Sequence, residues 1–198
     1  MILLSGGTFQ MGAVNESEED PDTNSNEFPV HSVTLTGPFL IGEHEVTILQ
    51  FKACVYARGC SYIHTTSSNK LTYNQSGMEN HPTNYVSWDE ALEYSAWKSS
   101  GSSRSYRFCT ETEWEYAVRS GTTSKWSYGD SGCLADISWY DTNNQPAGTK
   151  EVKTKQANPW DLYDVHGKVW EWVSNNYSST YSGDESGVTN SGGPSSGN

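Results

Sequence analysis

The 198-residue sequence holds no run of about 18 apolar residues, so no segment reads as a membrane-spanning helix. Positive charge is scarce, with 12 Lys and Arg against 24 Asp and Glu and a formal net charge of −12. Such a chain repels phosphate backbones and anionic lipid, which removes nucleic acid and membranes from the expected partners. The opening MILLSGG is too short, and lacks the basic flank, to serve as a signal peptide. The chain is therefore expected to be intracellular or already in mature form. Catalytic signatures are equally sparse. No Gly-x-Ser-x-Gly elbow follows a strand, no glycine loop suits a phosphate, and His31, His44, His64, His81 and His166 are scattered without a helical His-x-x-x-His pair. There is no C-x-x-C, and no histidine lies at zinc-ligand spacing from a cysteine.

What is present is aromatic. With 8 Trp, 12 Tyr, 5 Phe and 18 Gly, the core is expected to be built from rings in a loop-rich fold, within one domain long enough to need no metal for bulk stability. GGTFQMG (Gly6 to Gly12) and HSVTLTGPFLIG (His31 to Gly42) read as strands between glycines, separated by an acidic stretch, NESEEDPDTNSNE, that reads as a surface loop. Thr47 can cap a helix carrying Leu49, Phe51, Ala53 and Val55 and ending at Gly59. Ser87 with Glu90, and Thr110 with Glu113, are Ser/Thr-x-x-Glu capping boxes. The first precedes a stripe of Ala91, Tyr94 and Trp97, the second a stripe of Trp114, Ala117 and Val118 before Gly121. Glu113 reads as a cap, and Glu115 as a partner for Arg107 or Arg119. Two or three helices and short strands without regular alternation give an α+β class. The Ser/Gly/Asn-rich tail from Asn175 lacks periodicity, so the domain is expected over 1–177, with 178–198 as a tail or the start of a further segment.

Two local patterns carry chemistry. Cys54 and Cys60 lie close together in FKACVYARGC, on a chain whose Ser/Thr/Asn-rich surface is of the secreted kind, and are expected to form a disulfide; the pairing of Cys109 and Cys133 stays open. LYDVHGKVWEW (Leu162 to Trp172) sets Asp164 and Glu171 around Gly167, a tight turn whose carbonyls and carboxylates are the hard oxygens calcium takes. A buried Glu171 paired with Lys168 or an arginine reads equally well from these residues. Trp170 and Trp172 alternate with Glu171, so an extended segment would send both indoles into the core and the carboxylate to the other side.

GGTFQMG, PVHSVTLTGPFLIGEHEVT, HPTNYVSWDEALEYSAW, YRFCTETEWEYAVRSG and NPWDLYDVHGKVWEWV together resemble, in order and spacing, the sulfatase-modifying factor family. This is the formylglycine-generating enzyme domain, a variant of the C-type-lectin-like fold. The resemblance implies a structural calcium held by Asp164, the carbonyls of Gly167 and Val169, and Glu171. It implies a second calcium site at Asp136 and the carbonyl of Ile137, with Asp141 as a later ligand. Two departures stand out: Lys168 replaces the usual Asn, and Phe108-Cys109 replaces Leu-Pro. The family's Arg-Gly-Gly-Ser-Trp segment and its later cysteine pair, which bind copper in the oxidases, do not occur here. The expectation is therefore a calcium-stabilised, noncatalytic extracellular or periplasmic domain without catalytic residues, which binds a protein or glycan partner or a second copy of itself. The alternative is a truncated formylglycine-generating oxidase that would use copper on a sulfatase cysteine. An iron-dependent sulfoxide synthase is disfavoured, because its His-rich motif is absent.

Overall fold

The computed structural model describes residues 1–13, 27–62, 71–129, 133–177 and 188–189. The acidic stretch from Asn15 to Asn26, and residues 63–70 of the Ser/Asn-rich loop, lie outside these. Strand β1 (Ile2–Leu4) pairs antiparallel with β4 (Phe39–Ile41), Leu3 standing opposite Leu40. Strand β2 (Gly7–Met11) pairs antiparallel with β3 (His31–Leu35), which pairs on its other edge, in parallel, with β5 (Val188–Thr189). A strand thus forms inside the tail read as aperiodic. Its backbone is supplied with a partner by the β3 edge, which no local pattern in the tail announces.

Helix α1 (Ile48–Tyr56) begins with a full capping box: the Thr47 hydroxyl accepts from Gln50 N, and Gln50 Oε1 accepts from Thr47 N. Its C-terminus corrects the expectation for Gly59. The left-handed residue is Arg58 (φ 57°), and glycine is needed at 59 because a Cβ there would stand 2.3 Å from Trp97 Cδ1. Helices α2 (Trp88–Ser100) and α3 (Glu111–Arg119) both carry the expected boxes at Ser87/Glu90 and Thr110/Glu113. A short α4 (Leu134–Ile137) follows. The architecture is mixed α+β, as expected, with four helices among the described residues, where two or three were anticipated, and short, mostly antiparallel strands.

Among the described residues, two clusters make the core. Ile48, Phe51, Cys54, Cys60 and Tyr73 form one, with Tyr62, Tyr94 and Trp97 packed against it. Phe51 meets Tyr94 in a stack at 5.7 Å and Tyr62 edge-on at 5.8 Å, geometries that ring quadrupoles favour. Leu4, Ala117 and Leu162 form the other, with Trp160 and Phe39 against it. Cys54 and Cys60 are joined, their Cα atoms 5.4 Å apart, so the first cluster is stapled at the end of α1. Glu115 takes Arg119 as its partner at 2.7 Å and also accepts from Gly12 N, tying α3 to the end of β2.

Candidate functional site

The stretch from Leu162 to Trp172 is a chain of tight bends rather than an extended segment. Asp161, Asp164, Gly167 and Lys168 all have positive φ. Gly167 pairs with Trp139 as an isolated bridge, and a Cβ at 167 would lie 2.7 Å from both Ser138 Oγ and Trp139 O, so this backbone approach requires glycine. Lys168 N donates to Trp139 O at 3.0 Å, and Ser138 Oγ donates to His166 O. The indoles do not enter the core. Trp170 is 102% exposed and Trp172 53%, and Trp172 Nε1 donates to Val86 O at 2.9 Å. The expected alternation fails because the bends remove the two-residue period on which it rests.

The carboxylates around these bends meet a lysine. Asp164 is buried; its Oδ2 accepts from Lys153 N at 2.7 Å and lies 2.9 Å from Lys168 Nζ. The same ammonium stands 3.3 Å from Glu45 Oε2 and 3.4 Å from Glu151 O. The Lys168 side chain is 1% exposed and that of Glu45 7%, so the cluster is shielded from water. The Glu45 pKa is pushed up to about 8, by burial first and by the Asp164 charge, against the pull of the Lys168 ammonium. Glu171 is drawn elsewhere, accepting at Oε2 from Trp114 Nε1 at 2.8 Å. Desolvation by the surrounding protein raises its pKa against the Trp114 hydrogen bond, while the residue as a whole stays exposed to water. Glu45 had no marker in the sequence: it is one of two acids flanking His44, ahead of a helix cap.

Of the second anticipated set, Ile137 is buried at the end of α4, while Asp136 and Asp141 are exposed. The Asp136 carbonyl accepts from Gln156 N at 3.0 Å. Among the described residues, no three His, Cys, Asp or Glu side chains group as a metal cage.

A cavity of about 770 Å³, within the range of small-molecule sites, lies between β4, α1, α2 and residues 104–109. Tyr94, Tyr106, Phe108 and Trp172 give it an aromatic lining, and Lys98 and Arg104 put exposed positive charge at its rim. Arg107 is committed to Glu113, with Nη1 to Oε2 at 2.6 Å and Nη2 to Oε1 at 2.7 Å. Burial alone would raise the Glu113 pKa, but the Arg107 and Thr110 hydrogen bonds hold it below the usual carboxylate value. Cys109 also lines the cavity. Burial, with Glu113 adding to it, pushes its thiol up to about 11, against the pull of Arg107. Cys109 and Cys133 are free thiols.

A buried Ser–His pair lies apart from the cavity: Ser127 Oγ is 2.7 Å from His166 Nε2. Ser127 N donates to the same nitrogen at 3.3 Å, and Ser127 Oγ also bonds Val118 O. With Ser127 2% exposed, no substrate reaches it, and the pair fastens the 124–129 turn to the 161–172 bends.

A family model described as the sulfatase-modifying factor enzyme 1-like domain matches residues 1–196. The chain belongs to this family. It is 28% identical over 240 residues to the formylglycine-generating enzyme of Thermomonospora curvata, covering 96% of this chain and 75% of the relative. It is 28% identical to the inactive C-alpha-formylglycine-generating enzyme 2 of Bos taurus, covering 89% of this chain and 71% of that protein. The fold resembles PvdO from Pseudomonas aeruginosa with a TM-score of 0.80 at 25% identity, over 97% of this chain and 82% of that one. The sulfatase-modifying factor domain thus supplies the scaffold that sets Glu45, Asp164 and Lys168 together, and relatives bearing active and inactive names share it. Activity in this family must therefore be read from the site.

Proposed function

We propose that this sulfatase-modifying factor domain is a noncatalytic binding and assembly module, working in an extracellular or periplasmic setting and taking its partner at the aromatic cavity. The state of the four cysteines carries the reading. Oxidation of a peptide cysteine on Cu(I) needs a pair of thiolates, since soft thiolate sulfur is what selects that ion. Here Cys54 and Cys60 are consumed in a disulfide, and Cys109 is held protonated by its burial. That leaves Cys109 and Cys133 as the free thiols, with no preformed thiolate pair, and no oxidative step is assigned to them. The disulfide supports an oxidising compartment. The rim charges on Lys98 and Arg104, set on a chain of net charge −12, suit an acidic group on a protein partner, whose apolar neighbour would fill the ring-lined interior.

The alternative, an oxidase acting on a sulfatase cysteine, is favoured by the likeness to named formylglycine-generating enzymes over 96% of this chain. The two readings separate in one experiment. The protein is supplied with Cu(I), oxygen and a sulfatase-type cysteine peptide, and aldehyde formation is followed by hydrazide capture and peptide mass. No aldehyde is expected. Turnover that Cys109→Ser, Cys133→Ser abolishes would establish the oxidase reading instead.

A further inference from the structure

The family resemblance implies a calcium ion at the bends between Asp164 and Glu171, and the residues present do not fit one. Calcium takes six to eight oxygens at about 2.3–2.6 Å. Three of the four anticipated donors are already engaged: Asp164 holds the Lys168 ammonium at 2.9 Å, and the Gly167 carbonyl accepts from Val169 N at 2.9 Å. Glu171 accepts from the Trp114 indole. A divalent ion on Asp164 would sit within a few ångströms of a buried ammonium, where low dielectric makes like charges repel far more strongly than in water.

We propose that Lys168 is the resident cation of this site, and that its ammonium takes the structural place of a metal ion by binding Asp164, Glu45 and the Glu151 carbonyl. The proposal holds whether or not the domain is catalytic. Three segments converge on that one nitrogen: the turn before α1, the 151–153 strip and the 161–172 bends. Residue 168 reaches it because its backbone takes a φ of 66°, next to a glycine whose Cβ-free face lies against Trp139. Glu45 supplies the second, independent observation. Both of its carboxyl oxygens are buried with no hydrogen-bond partner, and the Lys168 ammonium, 3.3 Å from Oε2, is the cation set beside them. An ammonium offers three donors and one positive charge, enough to join two acidic side chains and a carbonyl. A lysine placed by the chain needs no ion from solution, so folding would not depend on the supply of calcium.

The test has two arms, both read as the melting temperature of the whole chain. In the first, the parent is melted after EDTA treatment and again with millimolar calcium, and the two values are expected to coincide. A drop with EDTA that calcium restores, and that Glu171→Gln abolishes, overturns the proposal. In the second, Lys168→Met strands the two carboxylates, and a loss on the order of 10 °C is expected. In a Glu45→Gln, Asp164→Asn background the same substitution is expected to lower the melting temperature by less than half as much. Equal losses in both backgrounds would show that the lysine only fills space, and would overturn the assignment. The first arm rests on the intact parent, so an unfolded Lys168→Met leaves the proposal open to refutation.

Discussion

Lowering the pH should destabilise this protein through His166 before its surface carboxylates titrate. Burial lowers the His166 pKa from 6.5 to about 4. The hydrogen bonding has the same sign, because Ser127 N donates to Nε2 and a proton on that nitrogen would set N–H against N–H. In the unfolded chain the imidazole is free to protonate near 6.5, so below that pH the unfolded state binds a proton that the folded state refuses. Stability contributed by the neutral ring is fully present above about pH 6.5 and is lost as pH falls toward 4, amounting to roughly 3 kcal/mol in all. About 2 kcal/mol of this is gone by pH 5, a fall in melting temperature of about 4–8 °C. Urea unfolding between pH 7.5 and 5 measures it, with His166→Gln as the reference, since an amide oxygen can still accept from Ser127 N and does not titrate in this range. The variant should be less stable at neutral pH and flatter with pH. Parallel pH profiles for parent and variant would refute the reasoning.

Two further perturbations follow from the packing. Gly59→Ala drives a methyl into Trp97, 2.3 Å from Cδ1, and should destabilise by about 1–3 kcal/mol through displacement of that ring; thermal melts that match the parent would contradict it. Cys54→Ala, Cys60→Ala opens a loop of sequence separation 6, and the chain-entropy relation sets its contribution at about 2 kcal/mol. Denaturing, non-reducing thiol labelling of the parent should accordingly modify Cys109 and Cys133 alone.

Much of the frame was legible because its signals are local. The boxes at Ser87/Glu90 and Thr110/Glu113 need only three residues of spacing, and the Glu115–Arg119 pair needs one helical turn. The Cys54–Cys60 bridge follows from short separation in a chain rich in Ser, Thr and Asn. What failed depended on contacts distant in sequence. The spacing of Trp170 and Trp172 sends both indoles inward only if the strand period holds, and the segment bends at Asp164, Gly167 and Lys168. Glu45 lies more than a hundred residues from Lys168, and nothing near Thr47 marks it as buried. The lysine pairing weighed for Glu171 is made by Asp164 and Glu45 instead, because the Trp114 indole reaches Glu171 from α3. The left-handed turn after α1 fell on Arg58, since Gly59 is required for its lack of a side chain against Trp97.

The claim that this chain's thiols are not a reaction centre is tested most directly by the pH dependence of Cys109 alkylation in the folded protein. Peptide-level mass spectrometry can follow iodoacetamide at Cys109 separately from Cys133. A thiol pushed up to about 11 should react slowly at neutral pH, with a rate still rising about tenfold per pH unit at pH 9.5. A rate already level by pH 8 would reveal a thiolate at working pH, and would contradict the account.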